Sequence, residues 1–363
     1  MVDSMIDQER DAFTGRLLKS LAGAFDVFSI YLGHKLGWYT ALAEGGHLTS
    51  AELAARTSTD ERYAREWLEQ QVVTGILAVQ DENLPGSERR YRLPAAHVEP
   101  LLDQDSLNYL APLFQLFAGA VRPLPQLLQA YRHGGGVPFA EYGADLREGQ
   151  AAVNRPAFLR QLAQEWLPAM PDIQAVLEAS PPAHVADFGC GYGWSSIGLA
   201  QGYPHARVDG FDLDEPSIAR AEENARQHGV SDRVRFQVRD AGDPALAGQY
   251  DLVTAFECIH DLSDPVGALR TMRRLVRKPG AVLIVDEHVG DRFTAKVSEV
   301  EGMMYGWSIL HCLPVGLADP PAVGTGTVMR AGTLRGYALE AGFRDVEVLP
   351  IENFFFQFYR LNP

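Results

Sequence analysis

Asp187, Gly189, Gly191 and Gly193 stand close together in the run ADFGCGYG. A short apolar stretch (Val185, Ala186, Phe188) precedes them, and an apolar helical pattern (Ile197, Leu199, Ala200) follows. Strand, glycine turn, helix is how a nucleotide-binding α/β unit begins. Glycines serve where the backbone turns sharply and where a ligand approaches the main chain with no Cβ between them. The dinucleotide fingerprint GxGxxG asks for glycine or alanine where this chain has Trp194 or Ser196, depending on which glycine starts the count. A carboxylate at Asp187 would repel a pyrophosphate but suits a ligand that carries an ammonium and a sulfonium.

A second strand, Arg207 to Phe211, ends in Asp212, where a carboxylate about twenty residues beyond the glycine turn can accept both hydroxyls of a ribose. Capping the next helix is the competing role, and Asp214 is better placed for it. A third strand, Val234 to Val238, ends at Arg239, Asp240 and Ala241. A fourth, YDLVTAF (Tyr250 to Phe256), runs into ECIHDLSDP, and a fifth, Ala281 to Val285, ends at Asp286, Glu287 and His288. In an open α/β sheet ligands gather at these strand ends.

DFGCGYG resembles the D/E-x-G-x-G-x-G signature of class I S-adenosylmethionine (SAM) methyltransferases. IHDLSD, residues 259–264, resembles the WILHDWSD motif of plant-type small-molecule O-methyltransferases, with His260, Asp261, Ser263 and Asp264 matching and Glu257, Cys258 and Leu262 departing. The resemblance implies SAM as cofactor and S-adenosylhomocysteine (SAH) as product. It assigns Asp187, Gly189, Gly191, Gly193, Asp212, Leu213, Asp240, Ala241 and Phe256 to the cofactor, with Asp240 on the adenine amino group. It implies His260 as general base, and Asp286 falls where the plant-type enzymes carry an acidic residue. The chemistry fits: a hydroxyl acceptor loses its proton as the methyl bond forms, and a histidine titrating near neutrality can take it. Asp286 or Glu287 would orient that base. The competing role for His260 is that of a loop or capping histidine, and for Asp240 that of a solvated carboxylate. No metal-ligand pair at i, i+3 or i, i+4 lies on a helix, so no metal is expected.

The elements that must position these residues read as three segments: 1–100, 101–182 and 183–363. From 183 onward apolar runs alternate with helical patterns, which predicts a doubly wound α/β domain. The resemblance makes it the Rossmann-like, seven-stranded class I methyltransferase sheet, closed by an antiparallel pair at Val346 to Leu349 and Phe354 to Leu361. Residues 1–100 read as long helices followed by helix, turn, helix and hairpin, a mostly helical winged-helix domain. Its LTSAELAARTSTDERYAREWLEQQVVTGIL run resembles the dimerisation domain of plant-type and actinobacterial small-molecule O-methyltransferases, implying a homodimer. Its would-be recognition helix carries Asp60, Glu61, Glu66 and Glu69 against Arg62 and Arg65, so phosphate backbones would repel it and nucleic acid is not the expected partner. Residues 101–182 read as a helical linker and substrate cap. Phe139 and Tyr142, next to the glycine-rich break at 134–136, either anchor a loop or line an acceptor cavity. In the insertion 291–329, Met303, Tyr305, Trp307 and His311 are either core or a lid over a planar, lipophilic acceptor.

Composition bounds the rest. With 363 residues and 46% apolar content the chain can build more than one core. A net charge of −15 disfavours a polyanionic partner. Three scattered cysteines argue for reduced thiols rather than a disulfide framework or structural zinc. Without a spanning apolar run or a basic-then-apolar leader, a cytoplasmic protein with no membrane partner is expected. The leading expectation is methylation, chiefly on oxygen, of a small lipophilic or aromatic molecule. Two alternatives stay open: a SAM-binding enzyme of other chemistry, and a SAM-sensing DNA-binding regulator.

Overall fold

The computed structural model describes residues 2–363 and divides into two compact units, one of residues 1–118 with 148–153, the other of 119–147 with 154–363. The first holds helices α1 (Val2–Lys35), α2 (Trp38–Gly45), α3 (Ser50–Thr57) and α4 (Glu61–Val73). A two-stranded hairpin, β1 (Ala78–Val79) with β2 (Tyr91–Arg92), and α5 (Ala95–Leu102) follow; α6 (Ala111–Ala120) lies at its boundary. Helix α3 starts with a capping box: Glu52 N–H donates to Thr49 Oγ1 and Thr49 N–H to Glu52 Oε2. Asp60 caps α4 by accepting from the backbone N–H groups of Arg62 and Tyr63. The antiparallel hairpin pairs Ala78 with Arg92 and Val79 with Tyr91. Around this helix-turn-helix and wing, Trp38, Tyr39, Leu42, Leu53, Trp67 and Leu68 form a core of their own. By contrast, α1 leaves Phe13, Leu17, Leu21 and Phe25 exposed along its length.

The second unit contains α7 (Leu124–His133), most of α8 (Gly143–Arg160) and α9 (Pro171–Glu178), then an alternating run. In order these are β3 (His184–Phe188), α10 (Trp194–Gly202), β4 (Arg207–Asp212), α11 (Glu215–Gln227), β5 (Val234–Val238), β6 (Tyr250–Phe256), α12 (Pro265–Leu275) and β7 (Val276–Glu287). Helices α13 (Glu299–Trp307), α14 (Leu313–Gly316) and α15 (Ala331–Glu340) and strands β8 (Asp345–Val348) and β9 (Phe356–Asn362) complete it. The sheet order is β5-β4-β3-β6-β7-β9-β8, with β9 antiparallel to both neighbours. Side-chain alternation sends Val185, Leu252 and Leu283 to one face and Ala186, Val253 and Ile284 to the other. Because both faces are covered, β6 is buried along its whole length, which is why it reads as YDLVTAF with no polar alternation. The chain moves outward from β3 to β4 and β5, then crosses back to place β6 on the other side of β3. That reversal opens a crevice at the C-terminal ends of β3 and β6, where a doubly wound sheet binds ligands. Among the described residues no helix is long and apolar enough to cross a membrane.

Candidate active site

The glycine turn follows β3 as the sequence predicts. Gly189, Gly191 and Gly193 all have positive φ, at 65°, 51° and 80°. A Cβ at Gly193 would run into the Phe236 ring, whereas one at Gly191 would meet no atom within 4 Å, so the turn is open on that side. Asp212 ends β4 beside it. One carboxylate oxygen accepts from Gly191 N–H at 2.8 Å and the other from Asp214 N–H at 2.9 Å. Each oxygen keeps a second acceptor position, so this carboxylate can both hold the turn and receive ribose hydroxyls. Leu213 is exposed next to it. Asp240 is exposed beyond β5 and accepts from Gly242 N–H, while Ala241 is half-buried against the core.

Two residues assigned to the cofactor are buried among contacts within the protein. Asp187 is fully buried, and its carboxylate receives the hydroxyls of Ser195 (2.6 Å), Ser196 (2.6 Å) and Thr254 (2.8 Å). Ser195 and Ser196 lie in the first turn of α10, so the carboxylate ties the helix start to β3 and β6. Phe256 turns its ring into the core against Phe158 and Trp166, because strand alternation points it there.

The strand ends on the other side of the switch point carry a buried polar cluster. His260 Nδ1 lies 2.7 Å from Asp286 Oδ1 and 3.3 Å from Glu287 Oε2, and the ring is 3% exposed. The loop bearing it packs on the glycine turn: Cys258 Sγ donates to Phe188 O, and a Cβ at Gly189 would strike that sulfur. Burial works against an imidazolium here. The negative charges of Asp286, Glu287 and Cys312 outweigh it and hold His260 well above the ordinary histidine range. Burial also favours a protonated Asp286, but the His260 charge and hydrogen bonds hold its carboxyl below the usual value. Burial pushes the Glu287 carboxyl well above its usual value, against the pull of the His260 charge. Asp286 Oδ2 and Glu287 Oε2 have no hydrogen-bond partner. Ligand-type atoms of His260, Asp286 and Glu287 fall within 4.8 Å of one another, as a divalent ion would need. In this structure the His260 nitrogen concerned is engaged with Asp286 directly.

Several members of this cluster have no signature in the sequence. Glu257 adopts a left-handed φ of 50°, a strained conformation for a side chain of this size, and accepts from Asn154 Nδ2. Burial raises its carboxyl to about 7. Cys312 lies against His260 and His311; burial opposes ionisation, yet those two histidines bring the thiol down to about 5. The segment carrying it approaches from 308–312, far along the chain, so spacing could not reveal it.

Of the residues assigned to the acceptor, three meet. His311 is flanked by Tyr142, with ring centroids 4.6 Å apart, and by Phe139 at 5.8 Å. Tyr142 is buried and donates to Leu310 O. The other three lie on α13. Met303 is 41% exposed, Tyr305 receives a hydrogen bond from Arg330, and Trp307 packs on the small cluster of Val289, Val300 and Met304. The same helix contributes Val300 and Met304 to that satellite cluster.

A family model described as a methyltransferase domain matches residues 180–318, the stretch that holds the glycine turn, Asp212 and His260. The chain carries a methyltransferase domain. A second model, the Rv2258c-like winged helix-turn-helix domain, matches residues 24–102 ahead of it. The methyltransferase domain is similar to curated proteins over part of their length. It is 29% identical over 165 residues to ubiquinone biosynthesis O-methyltransferase of Pseudomonas aeruginosa, covering 46% of this chain and 66% of that protein. It is 32% identical over 105 residues to norajmaline N-methyltransferase of Rauvolfia serpentina, covering 29% of this chain and 35% of that protein. The chain thus spans less than two thirds of each of these relatives. Solved structures share the whole fold. Mitomycin 7-O-methyltransferase matches with a TM-score of 0.72 at 19% identity, covering 97% of this chain and 98% of its own. Human N-acetylserotonin methyltransferase, solved with SAM, matches with a TM-score of 0.63 at 20% identity, covering 96% and 97%.

Proposed function

We propose that this protein transfers a methyl group from SAM to an oxygen of a small lipophilic or aromatic acceptor, with His260 as general base. The observation that carries this reading is the buried His260–Asp286 pair, placed at the strand ends beside the glycine turn. SAM supplies an electrophilic methyl on a sulfonium. Gly191 and Asp212 offer an open turn and a carboxylate for its nucleoside and amino-acid portions, and Leu213, Asp240 and Ala241 border that side. Asp286 engages Nδ1 of His260, which fixes the ring and would stabilise the imidazolium that forms when the ring takes the proton of an acceptor hydroxyl. Phe139, Tyr142 and His311 give the acceptor a buried aromatic flank. Much of the rate would come from holding acceptor and methyl in line.

The test is a screen of phenolic and hydroxylated acceptors with SAM, read by mass spectrometry for a methylated product and by SAH release. Products methylated on nitrogen or carbon, or SAH-free turnover, would replace the oxygen-and-base reading. A DNA-binding regulator is disfavoured because Arg62, Arg65 and Arg89 pair with Glu66, Glu61 and Glu69 within the winged-helix unit.

The exposed stripe on α1 supports a homodimer through the N-terminal unit. Phe13, Leu17, Leu21 and Phe25 recur every four residues and are each more than half exposed, a patch that isolated soluble domains rarely leave open.

A further inference from the structure

Arg147, on the first turns of α8, makes a two-pronged ion pair with Asp214: Nε donates to Oδ2 at 2.7 Å and Nη2 to Oδ1 at 2.6 Å. Both side chains are only 11% exposed. The same guanidinium lies over the Phe139 ring, 5.3 Å from its centroid. Asp214 is the cap of α11, accepting from Ser217 N–H and hydroxyl, and its own N–H donates to Asp212. Asp212 in turn receives Gly191 N–H. On the other side Phe139 packs on His311, whose neighbour Cys312 adjoins His260. One arginine therefore joins the loop that would hold the ribose to the turn that would flank the acceptor. Lysine could not replace it, because only a planar guanidinium can grip the carboxylate twice and lie flat on a ring. The turn it holds is bounded by glycines in the left-handed region, Gly134, Gly135 and Gly143, so its position depends on such outside contacts.

We infer that Arg147 is a positioning residue that couples the two half-sites, so that a nucleoside ligand on Asp212 and the placement of Phe139 favour each other. This rests on the reading that SAM binds at the glycine turn. Coupling free energies are reciprocal. A change at Phe139 must then alter affinity for a ligand that Phe139 does not touch, and must do so through Arg147.

The experiment is calorimetric titration of the full-length protein with SAH for wild type, Arg147→Lys, Phe139→Leu and the double variant, with thermal unfolding of each free protein as the fold control. Coupling of the usual size predicts about fivefold or greater weakening by Arg147→Lys and a smaller weakening by Phe139→Leu. The double variant should be no weaker than Arg147→Lys alone, since the path is already broken. An unchanged SAH affinity in Phe139→Leu, or effects that simply multiply in the double variant, overturns the inference. Should Arg147→Lys not fold, Asp214→Asn breaks the same pair from the other side and is read identically. Failure of the wild type to bind SAH would instead remove the SAM assignment itself, and the coupling with it.

Discussion

His260 and Asp286 meet as a nearly dry pair, Nδ1 to Oδ1 at 2.7 Å, although 26 residues separate them and they lie on neighbouring strand ends. A buried carboxylate against one ring nitrogen sets the tautomer, aims the other nitrogen, and raises the basicity of the ring. His260→Ala is expected to lower kcat by about 10²–10⁴-fold, the usual contribution of a positioned base. SAH affinity should stay near that of the wild type, because His260 belongs to the acceptor half of the site. Steady-state kinetics beside SAH titration separate the two, and a loss of SAH affinity equal to the loss of rate would place His260 elsewhere in the cycle.

The same pair predicts the pH dependence. Only the neutral imidazole can take a proton, and Asp286, Glu287 and Cys312 hold His260 well above its ordinary range. Activity should therefore rise with pH, along a limb that lies above the range of a free histidine. Asp286→Asn removes one negative charge, lowers the His260 pKa and moves the limb to lower pH; it also weakens the base, so the plateau falls. Glu257, raised to about 7, titrates nearby and should broaden the limb. A pH–rate profile that does not move in Asp286→Asn would remove Asp286 from this role. Stability follows the same sign: the His260 contribution is complete below its unfolded value and fades as pH rises through the higher folded one.

The parts of the site that were legible in the sequence share one physical property: each sits where a local rule constrains it. Gly189, Gly191 and Gly193 announce a turn with positive φ, and Asp212 and His260 fall at the ends of apolar runs that could only be buried strands. Asp187 occupies just such a place, yet its neighbours decided its role. Two serines in the next helical turn and a threonine on β6 supply three hydroxyls, and this choice among hydrogen-bond partners belongs to packing rather than pattern. Cys312, Asn154 and Arg147 reach the site from segments tens of residues away. Their positions depend on how α8 and the 308–312 turn pack on the strand ends, which no periodicity encodes. Met303, Tyr305 and Trp307 look like a lid by composition, and what periodicity could not show is that Trp307 packs on Val289, Val300 and Met304 while Tyr305 receives a hydrogen bond from Arg330.

Asp187 consequently behaves as a structural residue. Asp187→Ala would leave the hydroxyls of Ser195, Ser196 and Thr254 buried without their acceptor, at about 1–3 kcal/mol for each one that finds no substitute. A large drop in thermal stability is expected, with any loss of SAH affinity following from the loosened start of α10. Differential scanning calorimetry against Asp212→Ala makes the contrast. That substitution should abolish SAH binding while costing less stability, because Asp212 is only partly buried and its removal frees two backbone N–H groups rather than three buried hydroxyls. Equal stability losses in the two variants would contradict this division of labour.

The last prediction concerns α1. Leu17, Leu21 and Phe25 face outward on a 34-residue helix, each exposed by 53% or more. At about 25 cal/mol per Å² of apolar surface, covering such a stripe is a strong drive to associate. A second copy is the simplest cover, since the stripe is available on every chain. Leu21→Glu with Phe25→Glu places two charges at the centre of the stripe. These positions are exposed in the single chain, so the charges should leave its fold intact while opposing burial of the surface. Sedimentation velocity should show a dimer for the wild type and a monomer for the double variant, with the SAH affinity of the catalytic unit retained. A wild type that sediments as a monomer at micromolar concentration, or a double variant that still sediments as a dimer, would show that this face is not the subunit interface.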